Sequence, residues 1–328
     1  MVELKIKLPE HFLEEEVRDG YKVSAFMKEV WAVELDLLAE FMRVCDEHGI
    51  TYYADAGTIL GAVRHGGFIP WDDDIDVMMF RDQYDRLQEI APTAFKHPYF
   101  FQTQYTDPGS LRSHAQLRNS MTTGISVGEW PYKLKFNQGI FMDIFPIDGV
   151  PEDDAALVDQ CQTARQLLET AREKSKPRDR YVKDSPSPIR GAIKAFRHAL
   201  YTGPLRSVDL YEHYYRDFEK TITKYNGEKT TRVAKYFTTM PTEKDRKRRL
   251  WPRRFFDTTD YLQFEMLRIP VPGAYRELLD VFYGDWKTPV VGTQTHNGLI
   301  FDTSRSYKEY ICGAVQPTEE QLYGRKKV

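Results

Sequence analysis

The sequence predicts an α/β (α+β) protein: a mixed sheet flanked by helices, carrying a mostly helical insertion. Three observations predict it. Up to about residue 150, segments of helical periodicity alternate with short runs of β-formers, joined by spacers short enough for one sheet covered by helices. After about Pro151 the composition shifts to helical patterns and a charged, proline-containing connector. Strand-like character then returns beyond residue 255. The expected division is a catalytic core over 20–154, a helical insertion or cap over 155–255, and a C-terminal segment over 256–328 that completes the core. No internal repeat is visible.

Ala25 to His48 is the first helix. Val30, Val33, Leu37, Phe41 and Val44 form a stripe that Trp31, Leu35, Leu38 and Met42 broaden, so the helix is well buried, with Gly49 as its stop. Ile50 to Ala54 reads as a strand and Gly57 to His65 as a helix ended by Gly66-Gly67. Ile75 to Phe80 follows as a second strand, with a helical stretch around Tyr84 to Ala91. Tyr99–Tyr105, Ala115–Asn119 and Gly139–Phe145 are the next strands. Helices cover Ala155–Lys174, Ile189–Leu200 and Val208–Tyr225; Tyr261–Ile269 is strand-like, and Ala274–Phe282 is helical.

Composition narrows the function. Of 328 residues, 41% are hydrophobic and 29% charged, the mix of a globular protein that dissolves in water. A net charge of -3 gives no global attraction to nucleic acid, so any phosphate binding rests on local groups. Cys45, Cys161 and Cys312 lie far apart and are odd in number, which favours reduced thiols and a cytoplasmic site. No secretion signal heads the chain, and no run approaches the ~20 apolar residues of a membrane span. Contact with the inner face of a membrane stays open.

The chemistry gathers at Trp71-Asp72-Asp73-Asp74-Ile75-Asp76. Asp74 and Asp76, one residue apart at the head of a strand, project from the same face. Two carboxylates so close repel unless a cation sits between them. Oxygen donors suit a hard divalent ion, Mg²⁺ or Mn²⁺. An isolated Asp-x-Asp is more often a turn or a helix cap; the surroundings reverse that here. Upstream, Gly57-Thr58 follows a strand at a helix start, where N–H groups and a hydroxyl can hold a phosphate. Downstream, Asp143 interrupts the apolar run Ile140–Phe145, where a lone carboxylate is costly without a partner such as a shared metal.

These residues resemble the signature of the LicD family. The likeness is close over Asp55 to Met79, DAGTILGAVRHGGFIPWDDDIDVMM. It continues through Leu117–Thr123 and Gly139–Asp148, and resumes at Tyr283-Gly284-Asp285-Trp286 and His296. The family contains phosphocholine transferases and is related to the fukutin-type ribitol-phosphate transferases. The resemblance implies a nucleotidyltransferase-like fold, with Asp74, Asp76 and Asp143 as metal ligands and Asp72 as an additional or supporting one. It also implies a CDP-alcohol such as CDP-choline as donor, a glycan or glycolipid of the cell surface (lipopolysaccharide or teichoic acid) as acceptor, and CMP as product.

Other roles follow from chemistry and position. Arg64 and Arg118 are candidate phosphate ligands, because guanidinium matches two phosphate oxygens. His65 either touches phosphate or bonds backbone. Asp143 is the candidate proton acceptor by analogy with related enzymes. Trp71 packs the acidic loop or stacks on a base. Asp285 and His296 are candidates to approach from the C-terminal side. The basic stretch Lys244–Arg254, with Arg178, Arg180 and Lys183, is a solvated cap face or a surface for an anionic acceptor or membrane. Two rival readings share the carboxylates: a nucleotidyltransferase that takes a nucleoside triphosphate and releases pyrophosphate, and a non-catalytic binding protein.

Overall fold

The computed structural model describes residues 1–175, 185–202, 211–235, 240, 242–291 and 298–323. A hairpin of β1 (Glu16–Arg18) and β2 (Tyr21–Val23) leads into α1 (Ala25–His48). Ser24 caps α1 by accepting from the Met27 amide at 3.2 Å, and Gly49 ends it at φ 60°. Then come β3 (Tyr53–Ala54), α2 (Ala56–His65), β4 (Asp76–Phe80), α3 (Arg81–Ala94), β5 (Tyr99–Gln102), β6 (Ala115–Asn119), β7 (Thr123–Ser126) and β8 (Ile140–Gly149). The cap holds α4 (Asp154–Ser175), α5 (Pro188–Thr202), α6 (Glu212–Ile222), β9 (Arg232–Ala234), α7 (Glu243–Arg249) and β10 (Leu250–Pro252). The chain continues through β11 (Thr259–Phe264), β12 (Leu267–Pro272), α8 (Tyr275–Tyr283) and β13 (Leu299–Asp302), then two short helices.

The main sheet is mixed, as expected. It runs β10-β9-β8-β4-β3, with β6 also on β8 and β5 on β6. β8 is its centre: parallel to β4 and antiparallel to β6 and β9. Both central strands are apolar almost throughout, as strands covered on two faces must be. α1 lies across β8 and β6, so its Val30, Trp31, Leu35, Leu38 and Phe41 are fully buried in the main core. Trp31 stacks on Phe68, centroids 4.5 Å apart.

The insertion is mostly helical but not separate. α4 and α6 pack together through Leu157, Cys161, Ala164 and Leu168 against Tyr215, Phe218 and Ile222. Two short strands, which the helical patterning hid, then join the sheet. β9 pairs with the end of β8, Asp148 opposite Ala234, and β10 pairs with β9. The stretch Tyr261–Ile269 is a hairpin, β11 with β12, rather than one strand. Among the described residues no helix is long and apolar enough to cross a membrane.

Candidate active site

β4 begins at Asp76, whose register partner on β8 is Asp143. Parallel pairing therefore sets the two carboxylates side by side at one end of the central strands. Asp74 lies just ahead of β4, in the loop. One oxygen from each of Asp72, Asp73 and Asp74 comes within 4.8 Å of the others. The acid residues singled out by sequence thus fall into a loop group and a facing strand pair, and Asp73, which was given no role from sequence, joins Asp72 and Asp74 in the loop.

The two strand carboxylates differ in state. Burial, then Asp74, Asp143 and Asp72, push Asp76 well above the usual carboxylate range. Burial would raise Asp143 as well, but His114, Gln116 and Arg112 overcome it and hold its carboxyl down, to about 2. His114 Nε2 is 3.2 Å from Asp143 Oδ1, and Gln116 donates to the same oxygen at 2.6 Å.

Arg118 stands behind this arrangement. It is 1% exposed, and it donates to Gln102 at 2.6 Å, to the Gly139 carbonyl at 2.7 Å, and to Gln116. The expected phosphate ligand is instead a strut that fixes the amide holding Asp143, because the β5–β6–β8 wiring uses its N–H groups. Arg112 donates to Gln116 at 2.6 Å from the other side. The cap secures that loop: Tyr215 donates to the Arg112 carbonyl at 2.7 Å and Arg172 to the Leu111 carbonyl at 3.0 Å.

α2 brings its N-terminus to the acidic loop. A Cβ on Gly57 would collide with Asp72 Oδ2, so glycine is what lets that carboxylate lie against the helix start. Ala56 takes φ 41°, a left-handed value costly for a residue with a Cβ. Thr58 is buried, and its hydroxyl accepts from the Asp76 amide at 2.8 Å, bracing the head of β4. Asp55 caps α2, accepting from the Ala56 amide at 2.7 Å. Its other oxygen is in direct contact with Lys235 Nζ, just past β9, and burial drives that ammonium well below its ordinary value.

Arg64 and His65 stand at the far end of α2, ~12 Å from Gly57 at 1.5 Å per residue. His65 Nδ1 is 2.8 Å from Asp19, and Asp19 is also the acid whose field reaches Arg64. The helix therefore sets both apart from the carboxylates. Asp285 sits in an exposed turn, bonded by the Thr288 hydroxyl at 2.7 Å. Its neighbour Tyr283 makes the approach instead: burial, then Asp76, Asp72 and Asp74, raise the phenol. Trp71 is buried edge-on to Tyr21, centroids 5.8 Å apart, so it packs the loop. His296, Arg178, Arg180 and Lys183 lie outside the described residues.

Tyr283 also walls a groove of about 640 Å³ between α7 and α8, where Lys244, Lys247 and Arg248 face it. Part of the basic stretch therefore lines a cleft, together with Glu243 and Asp280. Glu34 of α1 is a further acid that the sequence reading passed over. It is 1% exposed, and burial, then Asp74, Asp73, Asp72 and Asp143, push its carboxyl well up. A donor set made wholly of carboxylate oxygen fits a hard divalent cation.

The family profile "LicD/FKTN/FKRP, nucleotidyltransferase domain" matches residues 49–180, a span that includes α2, the acidic loop, β4 and β8. Over these residues the chain is similar to the LicD family. It is also similar to the lipopolysaccharide cholinephosphotransferase LicD of Haemophilus influenzae, 26% identical over 268 residues, or 79% of this chain and 91% of that protein. A shorter likeness joins it to the human ribitol 5-phosphate transferase FKRP. There the identity is 34% over 47 residues, 14% of this chain and 10% of FKRP. The LicD likeness thus extends well beyond the matched domain, whereas the FKRP likeness is short and local.

Proposed function

We propose that this protein transfers a phospho-alcohol, phosphocholine or a close relative, from a CDP-activated donor to a hydroxyl of a glycan or glycolipid, releasing CMP, with Mg²⁺ or Mn²⁺ as cofactor. The observation that carries this reading is the facing pair Asp76–Asp143 beside the Asp72–Asp74 trio, in a span similar to the LicD family. The likeness to LicD and FKRP supports phospho-alcohol transfer as the reaction class.

In the reaction the acceptor hydroxyl oxygen forms a bond to the donor phosphorus beside the alcohol, and its proton passes to water. The bond from that phosphorus to the oxygen leading to CMP breaks, and CMP leaves with the electron pair. Asp72, Asp74, Asp76 and Asp143 would hold the divalent ion, which neutralises charge on the phosphoryl oxygens. His114 and Gln116 keep Asp143 ionised, the state a cation ligand needs. Thr58 and Gly57 fix where Asp76 and Asp72 point. Lys244, Lys247 and Arg248 outnumber Glu243 and Asp280 in the cleft that Tyr283 walls, which leaves its lining positive on balance toward an anionic substrate.

Incubation with Mg²⁺ and CDP-choline, other CDP-alcohols or nucleoside triphosphates tests the proposal, with CMP and pyrophosphate assayed separately. Metal-dependent CMP release from one CDP-alcohol is the expected result. Pyrophosphate release from a triphosphate would replace it with nucleotidyl transfer.

A further inference from the structure

Helix α1 buries three carboxylates, and the structure treats them differently. Asp36 accepts from the Tyr99 hydroxyl at 2.6 Å and from the Lys5 and Ile6 amides at 2.7 and 2.8 Å. Glu40 takes a two-point bond from Arg43, at 2.8 and 3.0 Å. Glu34, the most deeply buried of the three at 1% exposure, has no donor to its Oε2 among the described residues.

The surroundings of Glu34 are acidic. Trp31, one turn earlier on the same helix face, donates its indole N–H to the Asp72 carbonyl at 3.0 Å, which holds that face against the acidic loop. α1 also lies across β8, the strand of Asp143. The aspartates whose fields reach Glu34 are Asp74, Asp73, Asp72 and Asp143. A buried carboxylate facing others is destabilising, and a glutamine or leucine would serve packing better. A cation shared with the loop trio gives the placement a purpose.

We infer that Glu34 is a cation ligand of this site, supplied by α1 from outside the Trp71–Asp76 motif. The inference rests on the reading that the aspartates hold a divalent ion.

Mn²⁺ titration of the full chain, with free Mn²⁺ followed by electron paramagnetic resonance, tests it without any turnover. Glu34→Gln is expected to weaken Mn²⁺ binding about tenfold or more. Glu40→Gln should bind as wild type, and Asp74→Asn should lose binding. If Glu34→Gln stays within about twofold of wild type while Asp74→Asn loses the ion, Glu34 is no ligand and the cation site stands. If the wild type takes up no Mn²⁺, the cation reading and this inference fall together. Should circular dichroism show Glu34→Gln unfolded, Glu34→Asp decides by the same thresholds, since it keeps the charge and shortens the reach.

Discussion

Asp143 and Asp148 belong to one strand, β8, and both are buried, yet their surroundings differ. Asp148 meets Arg81 in a two-point ion pair, 2.7 Å at each oxygen, and Asn226 donates to it at 2.6 Å. Asp143 faces Asp76 across the parallel ladder, with the loop trio beyond. The first is a carboxylate whose charge the fold has answered. The second is answered on one side only: His114 and Gln116 hold its charge, while across the ladder stands Asp76, whose carboxyl burial and that crowding raise, an arrangement that suits a cation. Burial alone does not separate structural from functional acids; what stands opposite them on the next strand does.

The contrast is sharpest in substitutions. Asp76→Asn should reduce transfer on the order of 10³-fold or more, in a CMP-release assay, while the chain stays folded. Arg81→Ala should do the reverse. It leaves Asp148 buried without a counter-charge, with the Asn226 amide still donating to it, costing about 3–5 kcal/mol in urea unfolding. A D76N variant that kept its rate would remove the site from this end of the strands. Gly57→Ala should fall between: its methyl meets the Asp72 carboxylate, so stability drops by about 1–3 kcal/mol and activity falls with it.

The smallest effect is electrostatic and concerns the protein without metal. Asp76 has a raised carboxyl, so the folded chain keeps a proton that the unfolded chain has lost. Stability therefore falls as pH rises from the ordinary aspartate value, ~3.9, through the raised one, and the penalty is complete above it. Asp143, held near 2, acts the other way: its contribution is present above ~3.9 and is lost as pH falls through about 2. In chelator, Asp76→Asn should gain on the order of 1 kcal/mol at neutral pH and lose the fall with pH. Urea melts of both proteins across that range measure it.

Much of this was legible in the chain because local rules govern it. The α1 stripe, the Gly49 stop and the acidic loop ahead of an apolar strand are short-range signals, and the structure keeps them. What was hidden depends on contacts distant in sequence. Nothing local marks Lys235 as the partner of Asp55, or Gln116 as the group through which Arg118 acts on Asp143. β9 and β10, three residues each, are too short to carry a period. Glu34 did leave a trace, a carboxylate between Val33 and Leu35 on a helix buried nearly all round, but only the fold shows what it faces. Arg64 shows the converse: adjacency in a motif is not adjacency in space when a helix intervenes.

The return of the cap through β9 decides which parts of the molecule stand or fall together. Asp148 pairs with Ala234 across the whole of α4, α5 and α6. The next residue, Lys235, meets the Asp55 that caps α2. The insertion is therefore fastened at both ends to the elements that carry the acidic cluster. Loosening the cap loosens the start of α2 with it, the same helix start against which Asp72 lies.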